Sequence, residues 1–411
     1  MSRSVRTLFH AGVLATAIDA PLLAQQQPRR DPVRQTEADA YTRYELLAPG
    51  SGKFRITYEV TATTAGATEY FNPIRTGSIA TDESVVDRAS GLPLRFDVVG
   101  ASVARAGGVR VTDTTQHFIR VHLAHRVPAE EGEGRMLILK TYEDATSYFL
   151  RGDTLVFTRP LGIKRNAIVL PLGYELVTSS FPAQLRQEED GRIGISFWNA
   201  TPSEAAVSLR AVPRAAAARP GSAIAPARLG ERARQNREIV YLLQQPETHA
   251  FDLYHDYTES RAGLGTYLNV VRAGSAVSNP RGMNLDTGDP LHTETVRGSD
   301  IARRGLDTAG VESTSEVVIF GFTPAPAGGS VRIRMFETYT DSARYRVIGD
   351  ELVWERSLGR PANAVVLPAG WLVTNSTMPA TISTTSDGRI RLDFINPRPD
   401  ELTTIITARR R

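Results

Sequence analysis

Thr141 to Val177 reads TYEDATSYFLRGDTLVFTRPLGIKRNAIVLPLGYELV, and Thr338 to Thr374 reads TYTDSARYRVIGDELVWERSLGRPANAVVLPAGWLVT. The two stretches lie 197 residues apart. The alignment continues without a gap from Thr141 to Glu204, with about 28 of 64 positions identical. The same offset pairs Tyr44 with Tyr241, Phe54 with Phe251, Tyr70 with Tyr267 and Asn72 with Asn269. It also pairs Gly77-Ser78 with Gly274-Ser275, and Gly91, Pro93 and Leu94 with Gly288, Pro290 and Leu291. One constant offset over so long a span implies two copies of one fold in this 411-residue chain.

Within each copy the hydrophobic period is two. Ile193, Ile195 and Phe197 alternate with Arg192, Gly194 and Ser196, and Ile390, Leu392 and Phe394 alternate with Arg389, Arg391 and Asp393. Such alternation predicts strands with one buried face. Phe54-Ile56-Tyr58 and Phe251-Leu253-His255 read likewise. Val317 to Phe320 is a continuous apolar run, which suits a strand covered on both faces. Ser90-Gly91, Arg151-Gly152-Asp153, Asp190-Gly191 and Asp387-Gly388 punctuate the runs. An Asp-Gly pair between two strands supplies the positive φ that a tight hairpin needs. No long stretch of helical period appears. The fold class is therefore all-β: two tandem, homologous β-sandwich domains of about eight to ten strands each, joined by an Ala/Pro/Arg-rich linker.

The expected boundaries are a signal peptide at 1–24, a flexible N-terminal segment at 25–43, a first sandwich at 44–212, a linker at 213–238 and a second sandwich at 239–411. In the signal segment Arg3 and Arg6 precede a mostly apolar stretch from Leu8 to Leu23, and Ala24 offers a cleavage point before three glutamines. The linker, Pro213 to Glu238, has no apolar period, and its second half could form a short helix. The chain has no cysteine, so disulfides, thiolate metal sites and a cysteine nucleophile are excluded. Absence of cysteine beside an export signal favours a bacterial envelope protein, secreted or periplasmic. No other apolar stretch is long enough for a transmembrane span. The net charge is only +3 and is spread along the chain, which argues against a nucleic-acid partner.

The densest block shared by the copies is Arg159, Leu161, Gly162, Asn166, Ala167, Val169, Leu170, Pro171 and Gly173, followed by Tyr174. Its counterpart runs from Arg356 through Asn363 to Gly370 and Trp371. Two readings stand. Arg159, Asn166 and Tyr174, with Arg356, Asn363 and Trp371, could be donors beside an aromatic platform in a binding surface. Alternatively the block is a structural corner, with Asn closing a loop and the aromatic covering the core edge. Tyr142 with Asp144, Tyr339 with Asp341, and Asn199 and Asn396 read as loop-fixing residues. Asp286 and Asp289 lack the dense spacing of a calcium loop. His117, His122 and His125 cluster within nine residues, but their counterparts are Thr314, Ile319 and Phe322, so any metal site would be private to one copy. His249 and His255 read as one face of a half-buried strand. No metalloprotease helix, nucleophile elbow, phosphate loop or dinucleotide fingerprint occurs. Neither a catalytic residue nor a metal ligand nor a cofactor is assigned.

The segment from Phe118 to Tyr142, FIRVHLAHRVPAEEGEGRMLILKTY, reads as a strand, a Val-Pro turn, a Gly/Glu loop and a return strand. With ASGLPLRFDV, Ala89 to Val98, it resembles the non-catalytic N-terminal β-domain of the M61 and M1 metallopeptidase families. The resemblance covers about half of each copy. It implies a β-sandwich that packs against, or guides substrate toward, another part of a protein. The zinc-binding helix of those families has no counterpart, so no catalytic residue carries over. The chain also resembles exported bacterial proteins with this tandem arrangement. The expected function is an exported non-catalytic binding or scaffolding protein whose modules contact protein, peptide or glycan. The alternatives are a hydrolase with a dispersed site between the repeats, and a structural cell-surface assembly protein.

Overall fold

The computed structural model describes residues 34–201, 203–214, 230–307 and 309–411. The segment read as a signal peptide and residues 215–229 of the linker lie outside them. Residues 33–411 form one compact unit. Strands of the first half are β1 (Glu37–Leu46), β2 (Lys53–Ala62), β3 (Glu69–Pro73), β4 (Ile79–Asp87), β5 (Phe96–Gly100), β6 (His117–His122), β7 (Gly134–Glu143), β8 (Tyr148–Arg151), β9 (Thr154–Leu161), β10 (Arg165–Val169), β11 (Tyr174–Ser179), β12 (Gln184–Gln187), β13 (Ile193–Trp198) and β14 (Ala205–Pro213). The second half repeats them as β15 (Glu238–Leu243), β16 (Ala250–Glu259), β17 (Thr266–Val270), β18 (Ala276–Asn284), β19 (His292–Arg297), β20 (Glu316–Gly321), β21 (Val331–Thr340), β22 (Tyr345–Ile348), β23 (Glu351–Leu358), β24 (Ala362–Val366), β25 (Trp371–Ser376), β26 (Thr381–Thr384), β27 (Ile390–Ile395) and β28 (Leu402–Arg410). Short helices α1 (Ala101–Ala106) and α2 (Gly298–Arg303) follow β5 and β19.

The architecture is all-β, as the period-two pattern requires. In the first half a seven-stranded sheet runs β12-β13-β10-β1-β2-β7-β4, beside a four-stranded sheet β11-β14-β9-β8 and a three-stranded sheet β3-β6-β5. The second half has the orders β26-β27-β24-β15-β16-β21-β18, β25-β28-β23-β22 and β17-β20-β19, the same topology strand for strand. Registers agree as well. β1 runs parallel to β10 with Tyr44 opposite Ile168, and β15 runs parallel to β24 with Tyr241 opposite Val365. A bulge interrupts β4 between Thr81 and Ser84, and its counterpart interrupts β18 between Ser278 and Arg281. Asp82 and Asn279 adopt φ of 55° and 53° in these bulges, a region that short polar side chains tolerate.

Each core lies between the large sheet and the two smaller ones. Phe54, Ile56 and Tyr58 of β2 meet Leu155 and Phe157 of β9, Val207 and Leu209 of β14, and Ile119 and Val121 of β6. The corresponding second core gathers Phe251, Leu253, Trp354, Phe320 and Ile406. The run Val317 to Phe320 is covered on both faces. Val318 and Phe320 enter the main core, while Val317 and Ile319 pack with Ile301 of α2. Gly191 and Gly388 turn their Asp-Gly hairpins at φ of 85° and 83°.

Four expectations need correction. Each half carries fourteen strands rather than eight to ten, because several are four- or five-residue pieces that the alternation does not resolve. Glu37 already opens β1, so the stretch up to residue 43 is partly a sheet strand, held by pairing to both β2 and β10. Pro213 ends β14 and Glu238 starts β15. Between them, residues 230–237 make a turn rather than a helix, with Ala233 buried against Tyr41 and Ala167 of the first half. His249 precedes β16 in a left-handed conformation, so it does not share a strand face with the buried His255.

Candidate functional site

The six residues read as a binding surface do not form one. Arg159 alternates in phase with Leu155, Phe157 and Leu161 on β9, so it points into the core. Its guanidinium lies 5.5 Å from the ring centroids of both Phe54 and Tyr142, and Nη1 donates to Asp144 Oδ2 at 2.9 Å. Arg356 repeats this over Phe251 and Tyr339, with Nη1 3.9 Å from Asp341 Oδ2. A weakly hydrated, planar cation suits an aromatic slot of this kind. Burial pulls the Asp144 carboxyl upward, but hydrogen bonds from Thr146 and Ser147 and the Arg159 charge outweigh it and hold the pKa at about 2. Asn166 and Asn363 are buried, and each donates at 2.7 Å to a carbonyl three residues back, Ile163 or Arg360. Trp371 is 4% exposed and donates to Gln245 Oε1 at 3.0 Å. Tyr174 is half-buried against the first core. The block is the structural corner. Asn199 and Asn396 are likewise loop-fixing, donating to the carbonyls of Ser203 and Asp400 at 2.7 Å.

The residues that sequence reasoning missed lie where the halves meet. Arg135 of β7 forms a buried bidentate pair with Asp286 of the second half, Nε to Oδ1 at 2.5 Å and Nη2 to Oδ2 at 2.8 Å. The same guanidinium donates to Ser330 Oγ at 3.0 Å. Arg332, which stands at the Arg135 position of the second half, places Nε 3.0 Å from Glu133 Oε2 of the first. Backbone bonds cross at both edges of the contact, one residue out of exact two-fold register. Ser330 N donates to Ala89 O, and Glu133 N donates to Leu285 O at 2.7 Å. Like surfaces of the two halves thus face each other, as in an isologous contact. The Asp286 carboxylate is the counter-ion of Arg135. The available signal was the exchange of Ala89 for Asp286 between matched positions. His117, His122 and His125 do not converge either: His122 lies beside Glu69 and Asp97, and His125 is exposed beyond the end of β6.

Beside this contact lies a cavity of about 410 Å³ that both halves line. Its apolar wall comes from Trp198 of β13 and from Ile382, Phe394 and Ile395 of β26 and β27. Asn363, alone of the six expected residues, reaches it. Its polar side carries Glu133, Asp256, Arg332 and Arg334. Arg334 grips Asp256 through Nε and Nη2 at 2.7 and 2.9 Å and reaches Glu131 at 2.7 Å. Each carboxylate in the cavity therefore faces a guanidinium, an arrangement that fixes charge in place and leaves proton transfer little freedom. Among the described residues β26 is the last strand of its sheet and pairs with β27 alone. Ile382 on that edge is 55% exposed, and Thr381 Oγ1 donates across the halves to Ala200 O at 2.9 Å. The arrangement can hold an apolar or extended ligand against a strand edge with charged groups alongside.

No protein-family model matches the chain, and no curated protein does. Among solved structures, an M1 zinc metallopeptidase from Deinococcus radiodurans is similar at 10% identity and a TM-score of 0.28, over 44% of this chain and 42% of that one. An aminopeptidase N family protein from Idiomarina loihiensis is similar at 7% identity and a TM-score of 0.27, over 42% of this chain and 29% of that one. The chain thus spans less than half the length of the metallopeptidase structures it matches.

Proposed function

We propose that the protein is an exported, non-catalytic binding module that takes an extended peptide segment into the cavity between its halves. The observation that carries this reading is the free edge of β26 at that cavity, with Ile382 exposed on it. An unpaired edge offers main-chain hydrogen bonds to any extended peptide, and adjoining apolar and charged groups select its side chains. Trp198, Ile382 and Phe394 supply the apolar contact, and the Arg334–Asp256 pair supplies a charged margin. Export to a secreted or periplasmic location rests on Arg3, Arg6 and the apolar stretch that ends near Ala24.

Trp198 gives the readout, because it lines the cavity. Extended peptides are titrated against the purified protein while tryptophan fluorescence is followed. The strongest binder is then resynthesised with N-methylated backbone amides. Strand addition requires that N-methylation abolish binding and that Ile382→Arg do the same. Binding that survives both changes would refute it. For export, the N-terminal sequence of envelope-fraction protein is expected to begin at Gln25; protein retained in the cytoplasm with Met1 intact would contradict that half of the reading.

A further inference from the structure

Lysine occurs in this chain only at Lys53, Lys140 and Lys164, among 48 basic residues. Lys140 is the unusual one. On β7 it shares the inward phase of Met136, Ile138 and Tyr142, and it is 5% exposed. Its ammonium can donate three hydrogen bonds. Only one acceptor meets it, Asn72 Oδ1 at 2.6 Å, and it forms no ion pair among the described residues. The Tyr142 ring lies 4.9 Å away. Burial, reinforced by the nearby Arg159 charge and only partly opposed by the Glu83 carboxylate of the neighbouring β4, pulls the amine down to about 7.

Lys140 is not sealed in the core. It lines a cleft of about 330 Å³ within the first half, away from the cavity between the halves. Tyr44, Tyr58, Tyr70 and Tyr142 wall that cleft, with Arg75 and Arg159 as further cations. Arg159 is already committed to Asp144, and the Arg75 guanidinium to Pro160 O at 3.4 Å. The carboxylates that reach the cleft, Glu37 and Glu204, are exposed, and Glu37 is held by the Tyr70 hydroxyl. A cation buried among aromatic rings with no carboxylate in contact is costly, and an anion entering the cleft lowers that cost. The second half shows the opposite choice in the same frame. Glu337 stands where Lys140 stands, and Asn269, the counterpart of Asn72, now donates to it at 2.5 Å. Arg360 replaces Ile163 there and donates to Tyr267, the counterpart of the cleft tyrosine Tyr70. The frame accepts a buried acid with its own protein partners in one half and, among the described residues, leaves a buried base with no acid at ion-pair distance in the other.

We propose that the cleft of the first half binds a small aromatic carboxylate, with Lys140 as its counter-ion and the tyrosines as its walls. The carboxylate takes the two ammonium hydrogens that Asn72 leaves, and the flat ring lies among the tyrosine faces. A cleft of this volume is at the lower end of the range for small-molecule sites. Binding draws a proton onto Lys140, so above neutral pH it is accompanied by proton uptake.

The test uses the intact protein, benzoate and 4-hydroxybenzoate as probes, and benzamide as the neutral isostere. Calorimetric titration at pH 8 in two buffers of different ionisation enthalpy gives affinity and proton uptake together. Benzoate is expected to bind about 10- to 100-fold more tightly than benzamide, with uptake approaching one proton. Lys140→Met should bring benzoate down to the benzamide level, while Glu337→Gln leaves it unchanged. Equal affinity for benzoate and benzamide, or undiminished binding in Lys140→Met, overturns the proposal. Nitrogen-15 lysine spectra of the unaltered protein add a check that needs no variant. Benzoate must raise the titration midpoint of Lys140 and leave those of Lys53 and Lys164 in place; an unmoved Lys140 also overturns it.

Discussion

Asp286→Ala tests whether the contact between the halves is as dry as the geometry implies. Asp286 and Arg135 side chains are 6% and 5% exposed, and two N–H···O bonds join them. Asp286 Oδ2 also accepts from Arg332 N at 3.0 Å. Removing the carboxylate leaves the Arg135 guanidinium buried with only Ser330 as partner, a loss of about 3–5 kcal/mol by comparison with other broken buried pairs. An unfolding entropy near 2.1 cal/mol/K per residue gives about 0.8 kcal/mol/K for a chain of this length, so the melting temperature should fall by about 4–6 °C. Scanning calorimetry and tryptophan-monitored denaturation measure it. Trp198 reports the first half, and Trp354 with Trp371 the second. If the contact couples the halves, the single transition of the parent should split in the variant. Arg135→Met together with Asp286→Leu removes both charges and should recover most of the loss, since an apolar pair carries no unpaired group. A drop below about 1 kcal/mol for Asp286→Ala would mean that water screens the pair and the contact is open.

Three further outcomes follow from single positions. Gly91 has φ of 75°, and a Cβ there would lie 2.6 Å from Gly328 O across the interface, so Gly91→Ala should cost about 1–3 kcal/mol by calorimetry, more than the same change at Gly77, where nothing lies within 4 Å. Asp144 titrates at about 2 in the folded chain, below its unfolded value near 3.9, so its contribution is present above pH ~4 and lost as pH falls through ~2; Asp144→Asn should flatten the acid limb of a stability–pH curve in that window. Lys140 is lowered to about 7, so the unfolded chain binds more protons between pH ~7 and ~10.5 and wild-type stability rises with pH there. Lys140→Met should therefore stabilise at pH 6 by about 2–4 kcal/mol net of the unsatisfied Asn72 carbonyl, with the gain vanishing near pH 10.

Most of the fold was legible because its determinants are local or repeat at one spacing. The 197-residue offset, the Ile193–Phe197 alternation and the Asp190-Gly191 turn each need only neighbouring residues to be read. The buried charges were legible too, through phase rather than residue type. Arg159 sits in step with Leu155, Phe157 and Leu161, and Lys140 in step with Ile138 and Tyr142, so alternation places both inside. Reading Arg159 as a surface donor gave residue type priority over strand phase. The contact between the halves was not legible. Arg135 and Asp286 are 151 residues apart, and no period or turn rule links them. The cavity beside it, with Trp198 from one half and Ile382 from the other, is a product of that docking.

The two-fold relation of the halves makes a stronger demand on their charges than on their shapes. Each interface arginine can meet two mirror-related positions of the other half. Arg135 faces Asp286 and Ser330, while Arg332 has Ala89 and Glu133 at the corresponding places. Each guanidinium thus has one acid across the interface, but the acids occupy different members of the mirrored set. The turn supplies it in one case and the strand entry in the other. The pattern follows if the interface selects one counter-ion per buried arginine and is indifferent to which position provides it. Relocation then tests the principle directly. Glu133→Ser removes the acid that meets Arg332 Nε across the interface, leaving Asp256 of its own half 3.6 Å away, and should cost about 3 kcal/mol in thermal unfolding. Adding Ala89→Asp places a carboxylate at the position that mirrors Asp286, and should return most of that stability without restoring Glu133. If the double variant is no more stable than Glu133→Ser alone, the two edges of the interface are not equivalent, and the symmetry of the strands does not extend to the electrostatics that hold the halves together.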